Sequence, residues 1–393
     1  MSRKRIARSL SVYTHHNKVR LVHGGQEFFT LLVQMIDQAR FLIHMQTYIF
    51  TEDKTGTLVA DALIRAARRN VQVYLLLDGY ASQELPKPFI ARLKDAGVHF
   101  RWFAPLIKSR HFYFGRRMHH KFIVTDASNS LAGGINISDR YNDIDGNKAW
   151  LDWALYTEGE AAAKLNFIGQ RMWVKSSWNK KVARYSMPHV ENTHPDEECL
   201  VRVRRNDWVR KNNHISASYM EMFRSAGDHI TLLSSYFLPG KIFRKQMAQA
   251  SKRGVAIRVI LAGVSDVRVA RLAEQYMYRW LFRNNIEIYE YRDSVLHGKL
   301  ATFDDKWMTV GSYNMNNISA YASIELNMDV LNGPFARNVR EQLDEIANAH
   351  CTHITRETFY SHTSWFKRVQ QQGAYLVIRF LFFLFTFYFK QEK

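Results

Sequence analysis

The chain has 393 residues, enough for two ordinary domains, and 47% are hydrophobic against 23% charged, which excludes a disordered chain. Basic residues outnumber acidic ones 55 to 36, and the net charge of +19 points to polyanionic partners, nucleic acid or an anionic membrane surface. Cys199 and Cys351 stand apart from any metal-type spacing, which argues against a disulfide scaffold or zinc site and fits a reducing compartment.

The basic start, Met1 to Leu10, is followed by no apolar run and is not a secretory signal. Periodicity predicts an amphipathic helix over Gln26–Arg40 and a strand over Phe41–Phe50 that carries Tyr48. Buried-type strands follow at Val71–Leu77 and Val98–Phe103. Lys108–Arg117 mixes basic residues with aromatics, a composition that suits an anionic lipid interface and equally suits base stacking. The polar stretch Trp178–Glu198, with Pro188 and Pro195, marks a boundary. The order then repeats: a helix over Ile215–Ser225, a strand over Ile230–Leu238 with Tyr236, and strands over Val255–Leu261 and Ile286–Tyr291. Between the last two, Arg268–Arg283 carries an apolar stripe flanked by arginines, which fits a core helix as well as one dipping into a membrane. Ala374–Phe389 is apolar except for Arg379 and Thr386. Sixteen helical residues reach only about 24 Å, so an interfacial or membrane-embedded segment is expected rather than a spanning one. Alternating strands and helices predict an α/β protein with helices on both sheet faces, its halves packed about a pseudo-twofold axis.

The sharpest repeat carries chemistry. His119, Lys121, Asp126, Gly133 and Asn136 recur as His297, Lys299, Asp304, Gly311 and Asn314, each 178 positions later. A histidine and lysine two apart on a strand leave the same face. One imidazole can attack phosphorus, and a second, protonated, can give its proton to the leaving alcohol. Lys121 and Lys299 would neutralise phosphate oxygens, with Asn136, Asn314 and Ser312 as donors. Asp126 and Asp304 join the candidate catalytic set, although at the far end of the strand they also fit partners of a lysine or a turn. No metal or other cofactor is needed, and no obvious carboxylate cluster would hold one.

These two motifs are the signature of the phospholipase D superfamily. From about residue 18 to about residue 366 the chain also resembles bacterial cardiolipin synthases, in Val73–Tyr80, Phe114–Lys121, Tyr236–Gly240 and Leu296–Lys299. The resemblance implies two sandwich domains, each a mixed sheet flanked by helices, over 1–190 and 191–361, and a membrane-associating segment over 362–393. It implies that His119 takes a phosphatidyl group from one phosphatidylglycerol and that His297 protonates the glycerol released, then deprotonates a second phosphatidylglycerol. Hydrolysis of phosphodiesters, lipid or nucleic acid, is the alternative chemistry. It further implies that Glu325 orients His119 and Asp152 orients His297, where the residues alone equally allow surface carboxylates. The partners implied are anionic phospholipid and a membrane surface, at the cytoplasmic face of a bacterial inner membrane, with no nucleic acid. The chain resembles the shorter class without two leading transmembrane helices.

Overall fold

A computed structural model describes residues 13–105, 116–175, 198–210, 212–316 and 323–388. The basic N-terminal stretch, residues 108–115 of the basic-aromatic loop and nearly all of the expected boundary, including 190/191, lie outside the described residues.

The first half holds strands β1 (Asn17–His23), β2 (Leu42–Thr47), β3 (Gln72–Asp78), β4 (His99–Phe103), β5 (Arg117–Met118), β6 (Phe122–Thr125), β7 (Asn129–Gly133) and β8 (Trp153–Gly159). Its helices are α1 (Gln26–Gln38), α2 (Lys54–Arg68), α3 (Lys87–Asp95) and α4 (Glu160–Lys175). The second half holds β9 (Leu200–Asp207), β10 (Asn212–Asn213), β11 (His229–Ser234), β12 (Ala256–Ala262), β13 (Ile286–Tyr291), β14 (Lys299–Phe303), β15 (Trp307–Gly311), β16 (Ser323–Leu331) and β17 (Cys351–Ile354). Its helices are α5 (His214–Ser225), α6 (Lys241–Lys252), α7 (Arg268–Arg283), α8 (Gly333–Ala349), α9 (Arg356–Ser361) and α10 (Trp365–Tyr388).

Among the described residues the first sheet has seven strands, ordered β1-β8-β7-β6-β2-β3-β4. The second has ten: its run β9-β16-β15-β14-β11-β12-β13 repeats that order strand for strand, β10 and β17 are added at its edges, and β5 of the first half pairs with β16. In both, three parallel strands joined through helices meet an antiparallel set, so both sheets are mixed. Pairing aligns Ile43 with Thr125 and Ile230 with Phe303. Tyr48 is therefore the counterpart of Ser235; the sequence pattern had matched it to Tyr236, one residue on.

Three apolar clusters hold the layers together. Helices α1, α2 and α3 cover one face of the first sheet, and α5, α6 and α7 cover one face of the second. The third cluster joins the halves. It takes Phe122, Leu155, Leu165 and Trp173 from the first, and Leu300, Met308, Leu326 and Leu343 from the second. Each such side chain contributes about 1.5–3 kcal/mol on burial, so the halves are bound through a common core. β3 is buried on both faces, which is why Val73 to Leu77 reads as a near-continuous apolar run.

Helix α7 is a packing helix on both sides. Ala273, Met277, Tyr278 and Leu281 are buried, and α10 lies along its outer flank. The Tyr276 and Tyr375 rings stack at 4.6 Å, and buried Gln371 donates to Gln275 at 3.3 Å. The opposite flank of α10 presents Trp365, Val369, Leu376 and Phe380 to the outside. Among the described residues no helix is long and apolar enough to cross a membrane.

Candidate active site

The two motif segments are stitched to the opposite half through the backbone. β5 pairs in parallel with β16, Met118 beside Ile324, and the His119 N–H donates to the Ile324 carbonyl at 2.9 Å. In the other half Leu151 bridges Leu296 in parallel, and the N–H groups of His297 and Gly298 donate to the Leu151 carbonyl at 2.9 and 2.8 Å. Each histidine is thus fixed one residue before an acid of the other half, Glu325 or Asp152. Buried Asp78, at the end of β3, accepts from the Met118 N–H at 2.8 Å and pairs with Arg117. Arg116 pairs with buried Asp207 of β9 at 2.9 Å. These two arginines end the basic-aromatic stretch read as suiting a lipid interface or base stacking; they pin the approach to His119.

The side chains complete the latch. His119 Nδ1 lies 2.8 Å from Glu325, and His297 Nδ1 lies 2.6 Å from Asp152. Both carboxylates are 1% exposed, so neither is a surface group. A ring nitrogen facing a carboxylate carries the proton, which leaves the Nε2 lone pair of each imidazole to face outward. Sheet register makes the two acids equivalent: Gly133 pairs with Ala154 and Gly311 with Asn327, two residues after each acid. A side chain at Gly134 would strike the Asp152 carboxylate at 2.3 Å. The corresponding Ser312 instead donates its hydroxyl to Glu325. Ser312, expected to bind phosphate, spends its proton on orienting that acid.

Lys121 and Lys299 are buried at the same centre, each donating to the carbonyl of its own histidine. Burial lowers Lys121 to about 7, against the pull of Glu325, and lowers Lys299 to about 8, against Asp152 and Glu325. Burial also lowers His119, with Glu325 opposing, and brings His297 to about 4, with Lys299 adding to the effect. For Asp152 and Glu325 burial pushes upward, but Lys299 and His119 respectively lead the opposing charges and hold both acids low. Each histidine feels the lysine of the opposite half, so the two motifs form one electrostatic unit. Burial thus favours neutral rings at both positions in the protein's own field. Among the described residues no group of three or more His, Cys, Asp or Glu side chains could hold a metal ion.

The motif aspartates lie elsewhere. Asp126 accepts from the N–H groups of Arg40, Phe41 and Leu42 at 2.8–2.9 Å, and Asp304 from those of Gly227, Asp228 and His229 at 2.7–3.0 Å. Both begin hairpin turns with positive φ, 52° and 50°. They clamp the helix-to-strand turn that feeds the central strand, and their candidate catalytic role is replaced by that structural one. Asn136 accepts from the Ile49 N–H at 3.1 Å and donates to the Tyr141 hydroxyl at 2.8 Å; Asn314 accepts from Ser235 at 2.7 Å. Of three aromatics at the histidines, Tyr48 was noted in the sequence only as part of the repeat, and Tyr141 and Trp150 escaped the sequence reading. The Tyr48 ring meets His119 edge-on at 4.7 Å, and Tyr141 and Trp150 flank His297 at 5.2 and 6.0 Å. The Tyr141 hydroxyl stands 3.5 Å from His297 Nε2. No repeat signals it, because the pseudo-equivalent segment diverges.

Comparison with known proteins settles the family. The family described as "Cardiolipin synthase, PLD-like domain" matches residues 32–173 and 219–347. The chain belongs to the cardiolipin synthase family of the phospholipase D superfamily. Cardiolipin synthase B of Salmonella typhimurium is 32% identical over 353 residues, covering 89% of this chain and 85% of that protein. Its Escherichia coli K12 counterpart is 31% identical over 367 residues, 92% and 88% of the two chains. Cardiolipin synthase 1 of Bacillus anthracis is 29% identical over 323 residues, 79% and 62%. The fold is that of a Haemophilus influenzae phosphatidylserine synthase, with a TM-score of 0.72 at 14% identity over 96% of this chain and 97% of that one. A polyphosphate kinase from Porphyromonas gingivalis shares it at 0.57 and 15% identity, over 86% and 49%.

Proposed function

We propose that this enzyme transfers a phosphatidyl group from one phosphatidylglycerol to another, giving cardiolipin and glycerol through a phosphatidyl-histidine at residue 119. The observation that carries this reading is the crossed pair of latches, His119 to Glu325 and His297 to Asp152, within a family of cardiolipin synthases. His119 Nε2 has no partner among the described residues, whereas Tyr141 stands at His297 Nε2; this supports His119 as nucleophile and His297 as proton carrier. In the first step Nε2 of His119 attacks phosphorus, the bond to the glycerol oxygen breaks, and His297 gives that oxygen its proton. In the second step neutral His297 takes the hydroxyl proton of the acceptor lipid. The acceptor oxygen attacks phosphorus, and the bond to His119 breaks. Burial opposes a charged His297, so the negative phosphodiester supplies the field that protonates it. Lys121 and Lys299 neutralise the non-bridging oxygens, and the second amide proton of Asn136 is left for the same task.

Anionic phospholipid and the membrane surface are the proposed partners, supported by the net charge of +19 and by the apolar outer flank of α10. The bacterial relatives and the two unpaired cysteines support the cytoplasmic face of an inner membrane. Purified protein with phosphatidylglycerol micelles should yield cardiolipin and free glycerol, undiminished by a chelator; phosphatidic acid alone would make it a hydrolase. A His297→Ala enzyme should accumulate phosphatidyl label at His119. Label at His297 in a His119→Ala enzyme would reverse the two roles.

A further inference from the structure

A second basic cavity lies outside the reaction centre. It measures about 210 Å³ and is lined by Leu238, Pro239, Lys241, Arg244, Tyr375 and Arg379, with Gly240 and Ile378 completing it. It sits between the start of α6 and the docked part of α10. No lining residue is acidic, and none of the three cations is in an ion pair among the described residues. Arg244 buries its Nε without a hydrogen-bond partner there. A buried guanidinium N–H left unmatched costs about 1–3 kcal/mol, more for a charged group, so it persists where an anion answers it. Arg379 is held over the Tyr375 ring at 5.7 Å, and that ring is fixed by its stack on Tyr276. The first turn of α6 has no side-chain cap, which leaves further N–H groups at the mouth.

The surroundings identify the anion. Ile242, next to the wall residue Lys241, is 65% exposed, and Val377, Phe380 and Leu381 are 53%, 61% and 44% exposed around the outer side of α10. Free phosphate has no use for such side chains, whereas an acyl chain does. We propose that this cavity binds the phosphodiester headgroup of an anionic phospholipid that is not being turned over, and so moors the enzyme with its reaction centre at the bilayer. The segment 235–240, whose last three residues are in the cavity wall, ties the two places together: Ser235 donates to Asn314 at 2.7 Å, and the Leu238 N–H donates to the Met315 carbonyl at 3.1 Å. The inference rests on the lipid-surface reading above and adds a site to it.

The test uses the full chain carrying Arg379→Gln, an exposed change that leaves the fold intact, and Arg244→Gln/Arg379→Gln. Flotation with phosphatidylglycerol-containing vesicles should weaken about thirtyfold in the double variant, as two headgroup-facing cations are lost. Binding to phosphatidylcholine vesicles, and turnover of monomeric dihexanoyl phosphatidylglycerol, should be unchanged. Unaltered flotation of both variants would overturn the proposal, as would equal loss on phosphatidylcholine vesicles. Inorganic phosphate bound by the wild type but not the double variant, with flotation unaltered, would reassign the cavity to free phosphate. Arginine-dependent flotation by a wild-type protein that makes no cardiolipin would keep the cavity and remove the catalytic reading.

Discussion

His119 and His297 obtain their geometry from acids more than a hundred residues away in sequence. Replacing Asp152 with Asn keeps the shape but offers the ring the wrong proton arrangement, and turnover should fall on the order of a thousandfold or more. Glu325→Gln should do the same through His119, with cardiolipin formation from micelles as the readout. Tyr141→Phe removes only the hydroxyl near His297 Nε2, for about a tenfold loss in kcat, and should shift the pH profile where a packing defect would not. That profile follows from the buried groups. His119 must be neutral to attack, so the acid limb should lie below the ordinary imidazole value. Lysine is charged only below its pKa, so kcat/KM should fall as pH rises through about 7 to about 8. Stability carries its own signature. His297 is lowered from 6.5 to about 4, so between those values the unfolded chain binds the extra proton, and stability is lost as pH falls. The full effect is on the order of 3 kcal/mol. Melting temperatures between pH 7 and pH 4 should drop less for His297→Gln than for the wild type.

At the scale of the element, the conserved-looking spacing inside each motif turns out to join two different tasks. The histidine and lysine are the groups proposed for chemistry; the aspartate five residues after the lysine serves the turn. Asp126→Ala deprives three backbone amides of their acceptor and should cost about 1–3 kcal/mol in urea unfolding, with kcat of the folded enzyme nearly unchanged. A loss of kcat without a loss of stability would return Asp126 to the reaction. The central strands and their helices were legible because apolar periodicity is local. β1 was not, for its partner β8 lies far along the chain, and its buried and exposed residues alternate only against that neighbour. The pairing of Tyr48 with Ser235 was hidden for a similar reason: register is fixed by hydrogen bonds to the motif strand, not by likeness of side chains. Asp152 could be placed only by resemblance, since the loop before it differs in length from the one before Glu325. The sequence alone left α7 between core and membrane, a choice decided by α10, which packs on its outer flank.

On the scale of the whole molecule, neither half contains a complete centre. The sheets share a core, and each motif is bonded to the other half before it reaches its own lysine. A chain split within 176–197 should give two inactive fragments, and co-expression should restore cardiolipin formation in proportion to the complex recovered. Activity in either fragment alone would contradict the crossed latches. The same cross-stitching sets a clock on synthesis. The N-terminal half leaves the ribosome with His119, the proposed nucleophile, unaligned, because β16 and Glu325 are still to be made. A nascent chain touching lipid therefore has no means of cleaving it, and chemistry begins only when the last strands have closed on the first.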